Sequence, residues 1–317
     1  MSSMQEQFVM EQLSNRKVVV TGAAGFLGSH LTQRLVEVGA QVHGVSRAPR
    51  ASGTSNIRWW HGSFEDLPTA RHIIECIKPD VIFHLAGHVT AAPEIIHVLP
   101  TFRSLLMSTV HLLTISADLG CRRIVLTGSL TEPVGTVTEE IPGSPYAAAK
   151  WMCTAYARMF NSLYRTPVVV LRPFMTYGPR QKEGKIIPYV IQSLLRGEKP
   201  KLSSGQYQAD WIYVRDVIDG LLAAACKPGV EGCSLDLGSG TLVSVRDIVC
   251  QLVELSDSSI EPEFGALSDR PLERVRVADI AETYRILGWR PSTSLVDGLR
   301  QTIVWYQKKM TASRSSV

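Results

Sequence analysis

Apolar positions along this chain follow two rhythms. Short β-branched or aromatic runs without strict polar alternation stand at residues 18–20, 42–46, 57–60, 81–85, 124–126 and 168–171, as in strands buried on both faces. The stretches between most of them are long enough for helices. Leu31, Leu35 and Val38 lead to a stop at Gly39, and the run 151–164 follows a Pro145 suited to a first helical turn. Strand and helix alternating in this order predict an α/β fold with a parallel, doubly wound sheet. After Pro173 the rhythm changes to an irregular basic segment with Pro179-Arg180-Gln181 and one helix over 186–195. Asp236-Leu237-Gly238-Ser239-Gly240 reads as a returning strand and tight turn, 244–253 as a capped helix and 295–306 as a closing helix. Residues 1–15 read as a tail, in part helical, ahead of the fold, and 311–317 as a polar tail.

The first strand runs directly into Thr21-Gly22-Ala23-Ala24-Gly25-Phe26-Leu27-Gly28. Glycines at every third position between a buried strand and a helix let the turn tighten and the helix N-terminus approach a pyrophosphate, whose charge the unpaired N–H groups and the helix dipole favour. The chain is therefore expected to bind a dinucleotide. Folds that bind NAD usually end the second strand with an acidic residue for the ribose hydroxyls, whereas Ser46, Arg47 and Arg50 stand here. Arginine suits a 2′-phosphate, so NADP(H) is expected ahead of NAD.

In such sheets ligands sit beyond the carboxyl ends of the strands, where Gly22, Leu85-Ala86-Gly87, Ser129 and Pro173 fall. The chemistry is expected at Ser144-Pro145-Tyr146-Ala147-Ala148-Ala149-Lys150. A four-residue spacing stacks Tyr146 and Lys150 on one helix face. A phenol ordinarily ionises near 10, so acid and base work near neutrality calls for a cation beside it. Ser129 completes the set as a hydroxyl able to donate to a substrate carbonyl oxygen.

Composition narrows the classes without choosing among them. With 317 residues, 45 % hydrophobic and 20 % charged, the chain has ample material for one large domain or two smaller ones. A net charge of +4 is scattered, with no basic tract for nucleic acid. The 6 cysteines show neither a CxxC pair nor metal-ligand spacing, so no metal is expected and free thiols point to a cytoplasmic protein. Residues 1–16 have no apolar signal core, and no continuous apolar run reaches the length of a membrane span.

Taken jointly, these motifs resemble the extended short-chain dehydrogenase/reductase family in its nucleotide-sugar epimerase, dehydratase and ketoreductase branch. Further matching segments are His84-Leu85-Ala86-Gly87, 172–181, Asp210-Trp211-Ile212-Tyr213-Val214, Arg270-Pro271 and 287–291. The resemblance implies a Rossmann-type sheet over 16–172 plus about 211–241, and a smaller C-terminal α/β substrate domain over 173–210 and 242–310. It implies Tyr146 as acid/base, Lys150 on the nicotinamide ribose and Ser129 on the reacting oxygen. Cofactor contacts are expected from Gly22, Gly25, Phe26, Leu27, Gly28, Ser46, Arg47, Asp66, Leu67, Leu85, Ala86, Gly87, Tyr146, Lys150 and Pro173. Thr131, Met175, Arg180 and Arg270 are expected at a nucleoside-diphosphate sugar.

The chain also departs from the family pattern: Leu105 stands at the usual Asn, Met175 at another Asn, Ala209 at an Arg and Glu273 at an Asp. The Asp-Glu pair of the dehydratases is missing, and Leu130-Thr131-Glu132 follows Ser129 instead. The leading expectation is an NADPH-dependent reductase of a 4-keto sugar nucleotide. The alternatives are an NAD-dependent nucleotide-sugar 4-epimerase and a non-catalytic NADP-binding sensor. A homodimer is expected through Trp151, Met152, Tyr156, Met159 and Phe160, more apolar surface than one sheet contact needs.

Overall fold

The computed structural model describes residues 3–50, 56–90, 92–133, 141–269 and 275–314. In chain order it contains α1 (Ser3–Leu13), β1 (Lys17–Thr21), α2 (Phe26–Glu37), β2 (Gln41–Ser46), β3 (Ile57–His61), α3 (Leu67–Ile77) and β4 (Val81–His84). A helical stretch follows, made of a 3-10 turn, α4 (Val98–Thr101), a π turn over Phe102–Met107 and α5 (Ser108–Leu119). Then come β5 (Arg123–Thr127), α6 (Pro145–Tyr164), β6 (Val168–Pro173), β7 (Met175–Tyr177), α7 (Ile186–Arg196), β8 (Lys201–Leu202), β9 (Gln208–Tyr213), α8 (Val214–Cys226) and β10 (Ser234–Leu237). The chain closes with β11 (Leu242–Ser244), α9 (Val245–Leu255), β12 (Glu263–Phe264), α10 (Ile280–Leu287) and α11 (Leu295–Arg314).

The chain divides into two compact units, the first formed by 1–173, 218–237 and 281–289 and the second by 174–217, 238–280 and 290–317. The first is a seven-stranded sheet in the order β10-β6-β5-β4-β1-β2-β3, parallel throughout. Helices cover both faces of such a sheet, so its central strands can be apolar on both sides, and Val18, Val19, Val20, Ile82, Val125 and Val169 are buried accordingly. The helix α3 shows the matching logic, burying Ala70, Ile73, Ile74 and Ile77 along one stripe. Asp66 caps it by accepting the Thr69 N–H at 2.9 Å.

Two expectations change. Residues 3–13 form the helix allowed for but pack within the first unit instead of trailing ahead of it: Val9 and Leu13 are buried, and Glu6 pairs with Arg34 of α2. The helical stretch Ile95–Leu119 is long and apolar enough to cross a membrane by length and composition, with a mean hydropathy of 1.3. Its apolar pattern is interrupted and forms no continuous run, and Leu112, Leu113 and Ile115 are buried in the core of the first unit.

The second unit holds a three-stranded sheet, β11-β9-β7, with β9 antiparallel to β11 and parallel to β7, and the short parallel pair β12-β8. Helices α7, α9 and α11 pack around one another there. The chain re-enters the first unit at Ile218, within α8, so 211–217 belongs to the second.

Candidate active site

The turn after β1 is built around close backbone approach. Gly22 has φ +67°, and a Cβ on it would sit 2.9 Å from the Ala86 nitrogen and the Leu85 carbonyl carbon. A Cβ on Gly28 would lie 2.1 Å from the Gly22 carbonyl oxygen. The first turn of α2 is thus pressed onto the loop, which is itself pressed onto the exit of β4. Gly25 is the N-cap and contributes no side-chain bond, so Phe26, Leu27 and Gly28 open a helix end without a side-chain acceptor. A glycine cradle facing an uncapped helix N-terminus fits a dinucleotide pyrophosphate. Across the cradle the Ala86 N–H donates to Thr21 Oγ1 at 3.2 Å, and the side chain of Leu105, from the π turn, fills the space beside Gly87.

At the end of β2, Ser46 Oγ accepts the Ala48 N–H at 3.3 Å. The Arg47 side chain is 75 % exposed, 3.9 Å from Glu65. Asp66 is committed to capping α3, which leaves Leu67 exposed at its start. Pro173 ends β6 as the last residue of the first unit's opening segment.

The residues expected to do chemistry converge at the end of β5 and the start of α6. Ser144 Oγ accepts the Ala147 N–H at 3.1 Å, capping a 20-residue helix that Pro145 opens. Lys150, buried, donates from Nζ to the Thr127 carbonyl oxygen at 2.5 Å and to Thr127 Oγ1 at 3.2 Å. It also lies 6.0 Å from the centre of the Tyr146 ring. Tyr146 is half-buried and packs on Leu105, Ala149 and Cys153. Ser129, two residues beyond Thr127, is buried, and its Oγ lies 2.9 Å from Thr131 Oγ1. Thr127 thus ties the lysine to the strand that delivers the serine.

Three contributors at this site carry weaker sequence signals. Thr127 is visible only as a neighbour of Ser129. Glu132 is buried, accepts the Ser129 N–H at 2.6 Å and the Thr154 hydroxyl at 2.8 Å, and burial pushes its carboxyl above the ordinary range. Its partner on α6 lies 22 residues away, beyond the reach of local spacing.

His84 is the third, at the end of β4. Its Nδ1 lies 2.9 Å from Thr21 Oγ1 and its Nε2 3.3 Å from Ser108 Oγ. Ser108 directs its own proton at the Ser104 carbonyl at 2.7 Å, and Thr21 Oγ1 already accepts from Ala86. The pattern closes when Nε2–H donates to Ser108 and Nδ1 accepts from Thr21, which is neutral imidazole. Burial, and then the Lys150 charge, hold its pKa down at about 3. A base depressed in the fold takes up its proton only on unfolding. His84 therefore favours the fold fully above about pH 6.5, and that contribution fades by about 1.4 kcal/mol per pH unit below it. Urea unfolding between pH 7 and 5 should show this slope in the native protein and lose about that much of it in His84→Gln.

Of the remaining expected residues, Thr131 is exposed beside Ser129. Met175 lies on β7 in the second unit. Arg180 follows in the same unit, in the left-handed region at φ +65°. Arg270 and Glu273 lie outside the described residues.

The family model of the NAD dependent epimerase/dehydratase family matches residues 18–236. Among curated proteins, the UDP-glucose 4-epimerase of Mycolicibacterium smegmatis is 30 % identical over 92 % of this chain and 99 % of its own length. The dTDP-D-glucose 4,6-dehydratase of Homo sapiens is 27 % identical over 92 % of this chain and 90 % of its own. Among solved structures, UDP-glucose 4-epimerase from Thermotoga maritima, with UDP-glucose, has a TM-score of 0.84 at 27 % identity, covering 92 % of this chain and 99 % of that one. MoeE5 in complex with UDP-glucose and NAD has a TM-score of 0.82 at 28 % identity, covering 93 % and 99 %.

Proposed function

Because the chain belongs to the NAD-dependent epimerase/dehydratase family, we propose that it is a 4-epimerase of a UDP-hexose working with bound NAD. The observation that carries this reading is the turn after β5. Ser129 follows Thr127, the anchor of Lys150, and the next two residues are Leu130 and Thr131. Elimination across C5 and C6 needs an acid and a base there. The first carboxylate on this turn, Glu132, is committed to the Ser129 N–H and the Thr154 hydroxyl. Among the described residues this leaves a hydroxyl, a phenol and a cation, sufficient to take a proton from a carbinol and return it.

In this reading the cradle of Gly22, Gly25 and Gly28 receives the pyrophosphate of the cofactor, and Lys150 its nicotinamide ribose. Bound NAD supplies a hydride acceptor and donor for C4 of the sugar. Tyr146 Oη takes the proton of the C4 hydroxyl and later gives it back, while Ser129 Oγ donates to the same oxygen. Lys150, fixed on the Thr127 carbonyl, keeps positive charge beside the phenol. Thr131, beside Ser129, is assigned to the sugar nucleotide. The 4-ketoreductase expectation has no specific counterpart among the relatives named above; what supports it is Arg47, whose exposed guanidinium suits a 2′-phosphate.

The test is to incubate the purified protein with UDP-glucose and follow UDP-galactose by NMR without added reductant, while titrating NAD(H) and NADP(H) separately. Interconversion with NAD retained through turnover supports the epimerase. Preference for NADPH, with its consumption against a 4-keto sugar nucleotide and no interconversion, replaces it with the reductase. Binding without either reaction leaves a sensor.

A homodimer forms part of the proposal, on a corrected face of α6. Phe160 is buried and Tyr156 packs against the core of the first unit. The apolar stripe open to solvent is Trp151, Met152, Met159 and Leu163, beside Ile95, Leu99 and Phe102 of the neighbouring helical stretch. Sedimentation at micromolar concentration should give a dimer, and Leu163→Glu with Trp151→Glu should give a folded monomer.

A further inference from the structure

The geometry points to Glu132 as a positioning residue: a carboxylate strut that locks the Ser129 turn to the helix bearing Tyr146 and Lys150. The inference rests on the site reading above and extends it to a residue that touches neither substrate nor cofactor.

One oxygen, Oε1, accepts the Ser129 backbone N–H at 2.6 Å, and the Glu132 N–H in turn donates to the Ser129 carbonyl at 3.2 Å, so the turn is closed from both sides. The other oxygen, Oε2, accepts from Thr154 Oγ1 at 2.8 Å. Thr154 lies one helical turn beyond Lys150, on the same buried side of α6. The carboxylate therefore spans the gap between the element that presents the serine and the element that presents the phenol and the ammonium. Glu132 is itself 3 % exposed. Burial raises its pKa, opposed by the bonds from Thr154 and Ser129 and then by the positive charges of Arg172 on β6 and Lys150 on α6. A Cβ on Gly128 would lie 2.5 Å from Oε1, so the glycine before Ser129 is what admits the strut.

A buried carboxylate placed this way does more than hold a turn closed. Ser129 Oγ and Tyr146 Oη must meet one substrate oxygen, and misplacement by about 1 Å at such a site can lower rates by about 10²-fold. The strut fixes the serine relative to the helix through two charge-assisted bonds, the strongest kind available for it.

The discriminating variants are E132A, E132Q and T154V, each purified with its bound NAD. Glutamine keeps the span, because its carbonyl accepts from the Ser129 N–H while its amide donates to a Thr154 hydroxyl turned to accept. Two readouts are taken: deuterium exchange at the amides of 127–133, and kcat and KM on UDP-glucose. E132A and T154V are expected to speed exchange of the Ser129 amide and to lower kcat by about 10-fold or more, with KM within about threefold of native. The double variant E132A/T154V should be no slower than E132A alone, since each change breaks the same strut. E132Q should recover most of both losses. Unchanged exchange in E132A overturns the strut whatever the activity, and faster exchange with native kcat overturns its role in positioning. E132Q as impaired as E132A overturns it too, because charge alone would then matter. If the native protein fails to interconvert UDP-glucose, the epimerase reading falls while the exchange measurements still decide the strut.

Discussion

Tyr146→Phe is expected to lower the turnover of UDP-glucose by about 10²-fold or more, a barrier increase of about 2.7 kcal/mol, while leaving cofactor binding nearly intact. The ring does two jobs that this change separates. Its carbon face packs on Leu105, Ala149 and Cys153 at the start of α6, contacts that phenylalanine keeps. Its hydroxyl is the only group lost, and with it the transferable proton. Lys150→Ala should behave differently, weakening both cofactor binding and rate. It removes a buried side chain that reaches the Thr127 carbonyl and leaves that carbonyl and the Thr127 hydroxyl without their donor. Single-turnover rates and cofactor titrations on both variants separate the two effects. Native-like turnover in Tyr146→Phe on UDP-glucose would remove the phenol from the mechanism.

How much of this was legible beforehand depended on whether the signal was local. The parallel sheet announces itself because strands buried on two faces need β-branched residues at consecutive positions, as Val18-Val19-Val20 and Val168-Val169-Val170 show. The glycine loop is equally legible, since Gly22 and Gly28 answer to backbone approaches that admit no Cβ. Tyr146 and Lys150 are one helical turn apart, so their shared face follows from spacing alone. What escaped was weakly patterned or long-range. The helix α1 buries Val9 and Leu13 but leaves Met4, Phe8 and Met10 exposed, so its apolar positions do not mark the inward face. Strands β7 and β11 have three residues each, too few for any alternation to register. The orientation of α6 is not legible at Phe160 because a run rich in apolar residues does not say which stripe faces the sheet; Ala157 and Phe160, three apart, turn inward and leave Met159 outside. Glu132, His84 and Asp210 matter through partners that only the fold brings near.

Asp210 carries the largest stability effect we expect. It sits in β9 of the second unit, 1 % exposed, and its two carboxylate oxygens are shared among three backbone N–H groups on two separate stretches and one hydroxyl. Oδ1 accepts the Ser239 N–H at 2.6 Å and the Ser239 hydroxyl at 2.8 Å. Oδ2 accepts the Gly240 N–H at 2.9 Å and the Ala278 N–H at 3.0 Å. Gly238 makes room for it, because a Cβ there would lie 2.7 Å from Oδ2. One side chain thus satisfies three backbone donors where the chain turns after β10 and again where it approaches α10. Asp210→Ala leaves those donors buried without an acceptor, and the loss should be about 3–5 kcal/mol. Asp210→Asn should be nearly as damaging despite its shape, because whichever way the amide is turned its NH2 group faces at least one backbone N–H, donor against donor. Urea unfolding followed by tryptophan fluorescence, with the adjacent Trp211 buried in the native state, should show both variants unfolding at markedly lower urea. A native midpoint in Asp210→Asn would mean that the three amides find other acceptors and that the carboxylate is not what holds these turns.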